Sequence, residues 1–222
     1  MNDLTAPKAI LFDWDNTLVD NWASIAGALN ATLAKFDRPK FTEREVRGMV
    51  RHSMRNSFPR MFGDRWGEAR DIFYANFRAD HLAMLKPLSG VSDLLKKLAG
   101  MEVILGVVSN KGGEYLRREI SHLDWADYFH RAVGAGDAVT DKPEVGPVDL
   151  VLKDSGIERS KAVWFIGDAA VDLECGIRAG CTPILRISSD EPAEAHKDWP
   201  PAAVVNSSED ILRLVVESRQ TI

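Results

Sequence analysis

The chain has 222 residues, 45% of them hydrophobic, so it can bury the core of one domain or of one domain with an insertion. The net charge of −5 and the lack of a long basic run argue against a nucleic-acid partner, and no apolar run approaches membrane-spanning length. Cys175 and Cys181 are too few for a disulfide framework, and residues 1–8 do not resemble a signal peptide. We therefore expect a cytoplasmic protein whose partner is a small metabolite.

The first predicted element is a strand at residues 9–12, whose apolar run is too short for a helix. Such a run, bounded by polar residues, is typical of a strand buried on both faces of a parallel sheet. Asp13 and Asp15 follow at its carboxyl end. In open α/β sheets the ligand crevice lies beyond the carboxyl ends of the strands, so both carboxylates can face a ligand. Asp-Asn-Thr is also ordinary turn and capping chemistry, so this stretch alone does not establish a site.

A helical stretch comes next. Apolar residues recur at helical spacing over residues 21–36 and again over residues 68–85. Between them, Thr42 and Glu45 form a capping box that predicts a second, short helix. No strand is predicted in this stretch. We expect an all-helical cap domain at residues 19–87, standing over the crevice at the sheet edge.

After Pro87 strands and helices alternate, which predicts a parallel sheet with helices on both faces. The predicted helices are 91–98, 113–123, 147–154, 171–179 and 208–216, and the predicted strands are 103–108, 132–134, 162–166, 183–187 and 202–205. The fold class is therefore α/β: a doubly wound, Rossmann-like core domain at residues 1–18 and 88–222, interrupted by the helical cap.

Several predicted strands are followed by polar side chains. Ser109, Asn110 and Lys111 follow the second core strand, and Lys142, Asp168 and Asp172 follow later ones. Each alone is explained by a helix cap or a solvated loop. Together they bring carboxylates, a hydroxyl and a lysine to one edge of the sheet, which indicates a catalytic site.

This set fits phosphoryl transfer. Asp13 and Asp168 could hold Mg²⁺, which prefers one or two carboxylates together with substrate phosphate. Lys142, Ser109 and Thr17 could balance the charge of the phosphoryl oxygens. A carboxylate can also serve as the nucleophile, and a second carboxyl must then protonate the leaving oxygen and later activate water.

Four motifs in order resemble those of the haloacid dehalogenase superfamily, specifically its phosphoglycolate phosphatase-like branch with a helical cap. They are Asp-Trp-Asp-Asn-Thr-Leu at residues 13–18, Ser109, Lys-Pro at 142–143 and Gly-Asp-Ala-Ala-Val-Asp at 167–172. The resemblance covers nearly the whole chain. Two positions depart from the common pattern: Asn16 replaces the usual glycine, and Trp14 is bulky and is expected to narrow the entrance.

The resemblance implies a role for each matching residue. Asp13 is expected to be the nucleophile, and Asp15 the general acid/base and a metal ligand through its backbone carbonyl. Asp168 is the remaining metal ligand, and Asp172 a second acidic position that often acts indirectly. Lys142 is counted with the catalytic residues. Thr17, Ser109 and Asn110 are expected to bind the phosphate.

The implied activity is Mg²⁺-dependent hydrolysis of a small phosphomonoester, of phosphoglycolate or sugar-phosphate type, through an aspartyl-phosphate. Asp15 argues against the dehalogenases of the superfamily, which lack a carboxylate at that position. A phosphomutase, which excludes water from the aspartyl-phosphate, stays open as an alternative, as does a non-enzymatic binding module that kept the fold. The sequence does not decide between a monomer and a homodimer.

Substrate choice is expected to lie in the cap. Arg47, Arg51 and Arg55 recur every four residues, so a second helix that reached Arg55 would carry them as one basic stripe. Such a stripe could bind an anionic group of the substrate, with Arg47 and Arg51 as the leading candidates. A solvated surface face explains the same pattern.

Overall fold

The computed structural model describes residues 4–49, 53–187 and 197–220. The strands in this part of the chain are β1 (Ala9–Phe12), β2 (Val19–Asp20), β3 (Lys86–Pro87), β4 (Ile104–Gly112), β5 (Arg131–Ala135), β6 (Val163–Gly167), β7 (Thr182–Arg186) and β8 (Ala203–Val205). Six of them form one parallel sheet in the order β5-β4-β1-β6-β7-β8.

The α-helices of the described residues are α1 (Trp22–Lys35), α2 (Glu43–Met49), α3 (Met54–Phe62), α4 (Trp66–Met84), α5 (Val91–Ala99), α6 (Gly113–His122), α7 (Gly146–Leu152), α8 (Ala170–Arg178) and α9 (Ser208–Gln220). The predicted fold class, a doubly wound α/β core with inserted helices, is confirmed. None of the helices in the described residues is both long and apolar enough to cross a membrane.

The strand β1 shows why the sheet is covered on both faces. Successive side chains of a strand point to opposite sides, and all four residues of β1 are fully buried. Ile10 and Phe12 pack in one apolar cluster with α5 and α9, while Ala9 and Leu11 pack in another with α7 and α8. The sheet is therefore a middle layer between two layers of helices.

The order of the strands places β1 at the point where the chain changes direction across the sheet. From β1 the chain goes to β4 and β5 on one side and then crosses to β6, β7 and β8 on the other. Ala9 is paired with Ile104 of β4 and with Val163 of β6. Ligands of open α/β sheets bind at such a switch point, beyond the carboxyl ends of the strands.

The helices α1 to α4 lie between two short strands that leave and re-enter the core. Val19 of β2 pairs with Pro87 of β3 in antiparallel register. The two strands lie just outside residues 21–85, the stretch in which no strand is predicted, and neither of them is predicted from the sequence. A two-residue strand carries no hydrophobic period that a sequence could show. The limits predicted for the core and cap domains stay a prediction.

The inserted helices share an apolar cluster of their own. Its buried members are Trp22, Ile25, Ala28, Leu29, Leu33, Val46, Phe58, Phe62, Ala69, Phe73, Phe77 and Tyr115. All but Tyr115 come from α1 to α4, whereas Tyr115 belongs to α6, a helix of the core. Tyr115 stacks on Tyr74 of α4, with ring centroids 4.6 Å apart. The helical insertion is therefore packed against the core through α6.

Candidate active site

The turn after β1 presents the first two carboxylates. The backbone N–H of Asp13 donates to the carbonyl of Ile166 at 2.9 Å, so Asp13 extends the pairing of β1 with β6. Asn16 has a φ of 63°, a left-handed conformation that asparagine tolerates better than most residues. Asn16 thus keeps the tight turn that a glycine would allow. It also adds a bond, because its Nδ2 donates to Asp168 at 2.7 Å.

Lys142 lies at the centre of the site. Its Nζ donates to Oδ1 of Asp13 and to Oδ1 of Asp172, each at 2.6 Å. Oδ2 of Asp172 accepts from the backbone N–H of Ala169, at the beginning of α8. Burial alone would lower the pKa of Lys142, but Asp13 and Asp172 outweigh it, so the pKa is raised and the side chain stays charged. A buried ammonium therefore ties two of the expected acidic residues together.

Three carboxylates converge beside this lysine. Oxygen atoms of Asp13, Asp168 and Asp172 lie within 4.8 Å of one another. Burial, followed by the charges of Asp13 and Asp172, raises the pKa of Asp168 well above its ordinary value. The pKa of Asp172 is raised to about 6, because burial outweighs the effect of Lys142. Carboxylate oxygens in excess over cations suit a hard divalent ion such as Mg²⁺.

The three carboxylates differ in how well they suit a metal. Both oxygens of Asp172 already accept hydrogen bonds, one from Lys142 and one from Ala169. Asp13 gives one oxygen to Lys142, and Asp168 gives one to Asn16. Asp13 and Asp168 are thus better suited than Asp172 to bind a cation. The contacts of Asp172 suit it to hold Lys142 in place.

Asp15 belongs to a second cluster of charged side chains, around Lys111. Oδ1 of Asp15 accepts from Nζ of Lys111 at 2.8 Å. Burial raises the pKa of Asp15 to about 6, although Lys111 acts in the opposite direction. A carboxyl with a pKa near neutrality can both give and take a proton, as a general acid/base must.

The polar residues expected around a phosphate take different positions. Ser109 is buried near the end of β4, and its Oγ accepts from the backbone N–H of Lys111 at 3.2 Å. Asn110 donates to the backbone carbonyl of Lys142 at 3.3 Å, which joins the residue after the second motif to the third motif. Thr17 is fully buried, and its Oγ1 has no hydrogen-bond partner among the described residues. Its carbonyl accepts from Arg186.

Sequence reasoning missed a set of side chains behind Asp15. Glu119 of α6 is fully buried and accepts from Lys111, Trp14 and other donors. One signal was available: Glu119 lies three residues after Leu116 and one before Ile120, on the buried face of α6. Trp14 is also fully buried, with its ring edge-on to Trp125 at 5.9 Å. The expectation that Trp14 narrows the entrance is therefore wrong.

The helix that carries Arg47 does not continue to Arg55. Ser53 has an extended backbone, with φ of −55° and ψ of 152°, and α3 begins after it, so Arg55 and Arg47 lie on different helices. The condition for one basic stripe, a second helix that reaches Arg55, is therefore not met. The side chain of Arg47 and the whole of Arg51 lie outside the described residues. Arg55 forms an ion pair with Asp141, the residue before Lys142.

Comparisons with known proteins agree with this geometry. The model of the haloacid dehalogenase-like hydrolase family matches residues 10–185. A phosphoglycolate phosphatase of Pectobacterium atrosepticum is 27% identical, over 98% of this chain and 96% of its own length. An N-acetylmuramic acid 6-phosphate phosphatase of Pseudomonas aeruginosa is 28% identical, over 92% of this chain and 93% of its own length.

A solved structure shows the same fold. It is a haloacid dehalogenase-like hydrolase of Streptococcus pneumoniae with a TM-score of 0.82 and 19% identity, covering 96% of this chain and 99% of its own. The expectation of an enzyme of the phosphoric monoester hydrolase class is confirmed. The family match spans most of the chain and includes the strands that carry Asp13, Lys142 and Asp168 to one edge. The chain therefore belongs to the haloacid dehalogenase-like hydrolases.

Proposed function

We propose that this protein is a Mg²⁺-dependent phosphatase that hydrolyses a small phosphomonoester through an aspartyl-phosphate on Asp13. One observation carries the proposal: Nζ of Lys142 joins Asp13 to Asp172, while Asp168 lies close enough to share a cation with Asp13. This arrangement provides a nucleophile, a fixed positive charge and metal ligands around one point. Phosphoryl transfer needs little more than such positioning and charge stabilisation.

In the first step, an oxygen of Asp13 attacks the phosphorus atom. The bond between phosphorus and the ester oxygen breaks, and Asp15 gives its proton to that oxygen so that a neutral alcohol leaves. The pKa of Asp15, raised to about 6 chiefly by burial, leaves part of the population protonated near neutral pH. Lys142 keeps Asp13 oriented and offsets negative charge on the phosphoryl oxygens.

In the second step, Asp15 takes a proton from a water molecule, whose oxygen attacks the phosphorus of the aspartyl-phosphate. The bond to Asp13 breaks, inorganic phosphate is released, and both carboxylates return to their starting states. When bound by Asp13 and Asp168, Mg²⁺ would supply charge stabilisation to the phosphoryl oxygens. The contact of Asn16 with Asp168 would hold that ligand in place, at 2.7 Å.

The substrate is proposed to carry a carboxylate besides its phosphate. The two curated relatives described above are named for phosphoglycolate and N-acetylmuramic acid 6-phosphate, and both compounds contain a carboxylate. The two differ greatly in size, so the relatives support an acidic phosphomonoester rather than one compound. The cap contributes a cation beside the loop of Lys142, because Arg55 of α3 forms an ion pair with Asp141.

Phosphate release from a panel of esters tests the proposal. The panel contains phosphoglycolate, N-acetylmuramic acid 6-phosphate, glucose 6-phosphate and p-nitrophenyl phosphate, each with Mg²⁺. We expect one free phosphate for each ester consumed and a higher kcat/KM for a carboxylated ester than for its neutral counterparts. An isomeric phosphate that accumulates without free phosphate would identify a mutase instead. Absence of turnover with every ester would contradict the proposal.

A further inference from the structure

Glu119 is a buried carboxylate that the proposed reaction does not use. It lies in α6, and its side chain is fully buried. Burial alone would raise the pKa of Glu119, but Lys111, His81 and Trp14 outweigh it, so the pKa is lowered and the side chain is charged. An isolated buried charge would destabilise the fold, so its partners must hold it closely.

The partners of Glu119 are all close and come from separate parts of the fold. Trp14, in the turn after β1, donates from its Nε1 to Glu119 at 2.6 Å. Asn21, the residue before α1, donates from its Nδ2 to Glu119 at 3.0 Å. Nδ1 of His81 lies 3.0 Å away on α4, inside the helical insertion. Glu119 therefore joins the β1 turn, the connection to the insertion and α4.

Lys111 is the partner that reaches the proposed catalytic group. Its Nζ lies 2.8 and 2.9 Å from the two oxygens of Glu119 and 2.8 Å from Oδ1 of Asp15. A lysine side chain has four flexible bonds, so one contact with Asp15 would leave it many conformations. The two oxygens of Glu119 restrict the ammonium to one position. The direction of the Asp15 carboxyl is then set through Lys111.

We propose that Glu119 is a positioning residue for Asp15: it fixes Lys111 against Asp15 and, through His81, ties this pair to the inserted helices. The inference rests on the proposed function, because it takes Asp15 to be the group that protonates the leaving oxygen. It assigns to α6 a role that none of the four motifs contains. His81 is held for this purpose between aromatic rings, stacked on Phe77 at 4.7 Å and edge-on to Tyr115 at 5.6 Å.

A misdirected Asp15 should impair some esters and spare others. An alkyl ester such as phosphoglycolate loses a basic oxygen that needs a proton, whereas p-nitrophenolate leaves readily without one. kcat/KM reports the step in which the leaving group departs, so its ratio between the two esters measures proton donation by Asp15. A residue that only stabilises the fold would lower both values together.

The test compares Glu119→Gln with wild-type protein on these two esters in Mg²⁺. The amide keeps the size of the side chain but lacks the charge and one of the two acceptors for Lys111. We expect kcat/KM for phosphoglycolate to fall about tenfold or more, within the usual contribution of a general acid, and that for p-nitrophenyl phosphate to fall less than about threefold. Inhibition by inorganic phosphate should not change, since Lys142 and Ser109 are untouched.

Two further variants keep the test decisive. Glu114→Gln makes the same change on the same helix, in an exposed ion pair with Arg118 at 2.7 Å, and should alter neither ester. His81→Phe removes only the bond from α4 and keeps a ring beside Phe77 and Tyr115. It should cause the same selective loss at smaller amplitude, about threefold, and it carries the test if Glu119→Gln does not fold.

Equal losses for both esters in Glu119→Gln, or in His81→Phe where the first variant does not fold, would overturn the positioning role. The proposed function has its own control in Asp13→Asn. If wild-type protein turns over both esters and Asp13→Asn neither, ester-independent losses reject the role of Glu119 alone. If wild-type protein hydrolyses neither ester, both proposals fail.

Discussion

Two buried lysines organise the site, and they differ in what surrounds them. Lys142 lies between Asp13 and Asp172, with both bonds at 2.6 Å, and Lys111 lies between Asp15 and Glu119, with bonds of 2.8 Å. In each case burial would lower the pKa of the lysine, but the two carboxylates raise it. Each ammonium thus links one aspartate of the β1 turn to a second carboxylate on a helix.

The charge balance separates the two groups. Around Lys142, Asp168 brings a third carboxylate within 4.8 Å, so negative charge is in clear excess. Around Lys111, the carboxylates in contact with the ammonium among the described residues are Asp15 and Glu119, and the neutral groups of Trp14 and Asn21 also donate to Glu119. The first group therefore suits a divalent cation and a phosphate, whereas the second is already nearly balanced and suits the control of a proton.

The largest expected effect separates the two aspartates of the turn. Asp13→Asn should abolish turnover, because an amide cannot attack phosphorus. Asp15→Asn should leave a phosphoenzyme detectable after acid quench of labelled substrate, because the nucleophile remains while proton transfer is lost. Substantial turnover by Asp13→Asn, or the absence of any phosphoenzyme in Asp15→Asn with an aryl ester, would contradict the division of roles.

Removal of the metal should have the next largest effect. A chelator should abolish activity and Mg²⁺ should restore it, since the carboxylates around Lys142 exceed the cations. Ca²⁺ should inhibit, because it accepts more ligands at longer distances. Asp168→Asn should raise the Mg²⁺ concentration needed for half-maximal rate before it changes KM for the ester. Full activity in excess chelator would refute the metal site.

A matched pair of lysine variants tests the comparison itself. Lys142→Met should lower kcat by about 10² to 10³, as expected when a fixed charge is taken from the phosphoryl oxygens. Lys111→Met should cost about tenfold for an alkyl ester and less for an aryl ester, because it acts through Asp15. Thermal melts would show whether both variants fold. A loss in Lys111→Met as large as in Lys142→Met, and equal for both esters, would break the distinction.

Much of the group around Lys142 could be predicted from the sequence because these residues lie near or beyond the carboxyl ends of strands. Parallel strands end at one edge of a sheet, so the topology brings Asp13, Ser109 and Asp168 together, and the loop after β5 adds Lys142. The strands themselves are short apolar runs between polar residues, which is the plainest signal of a buried sheet. This is why the fold class followed from the order of the elements.

The group around Lys111 could not be predicted in the same way. Glu119 and His81 lie within helices, where a single polar residue on a buried face does not identify its partner. The contact between Glu119 and His81 depends on how α4 packs against α6. That packing, seen in the stacked rings of Tyr74 and Tyr115, is visible only in the structure. The extended backbone at Ser53, which separates α2 from α3, also could not be predicted. The spacing of the arginines in the sequence alone fits one face of a single helix.

The smallest expected effect concerns the contact between α3 and the loop that carries Lys142. Arg55 is 40% exposed while its partner Asp141 is almost fully buried, so Arg55→Ala would leave a buried carboxylate with a backbone N–H of Gly136 at 3.2 Å. We expect the melting temperature to fall by about 2 to 4 °C, the shift that a loss of about 1 kcal/mol causes in a chain of this size. We expect kcat/KM for a carboxylated ester to fall a few-fold.

The matched control is Arg60→Ala, which removes an exposed arginine from the last turn of the same helix and should change neither quantity. Arg55 is a residue of the inserted helix α3, and it contacts Asp141, the residue before Lys142. p-Nitrophenyl phosphate has no carboxylate, so Arg55→Ala should leave its kcat/KM within about twofold if Arg55 acts on the acidic part of the substrate. An equal fall in kcat/KM for both esters would mean that Arg55 only supports the loop of Lys142. The position of Lys142 would then depend on the inserted helices through Arg55, as that of Lys111 does through His81 and Glu119.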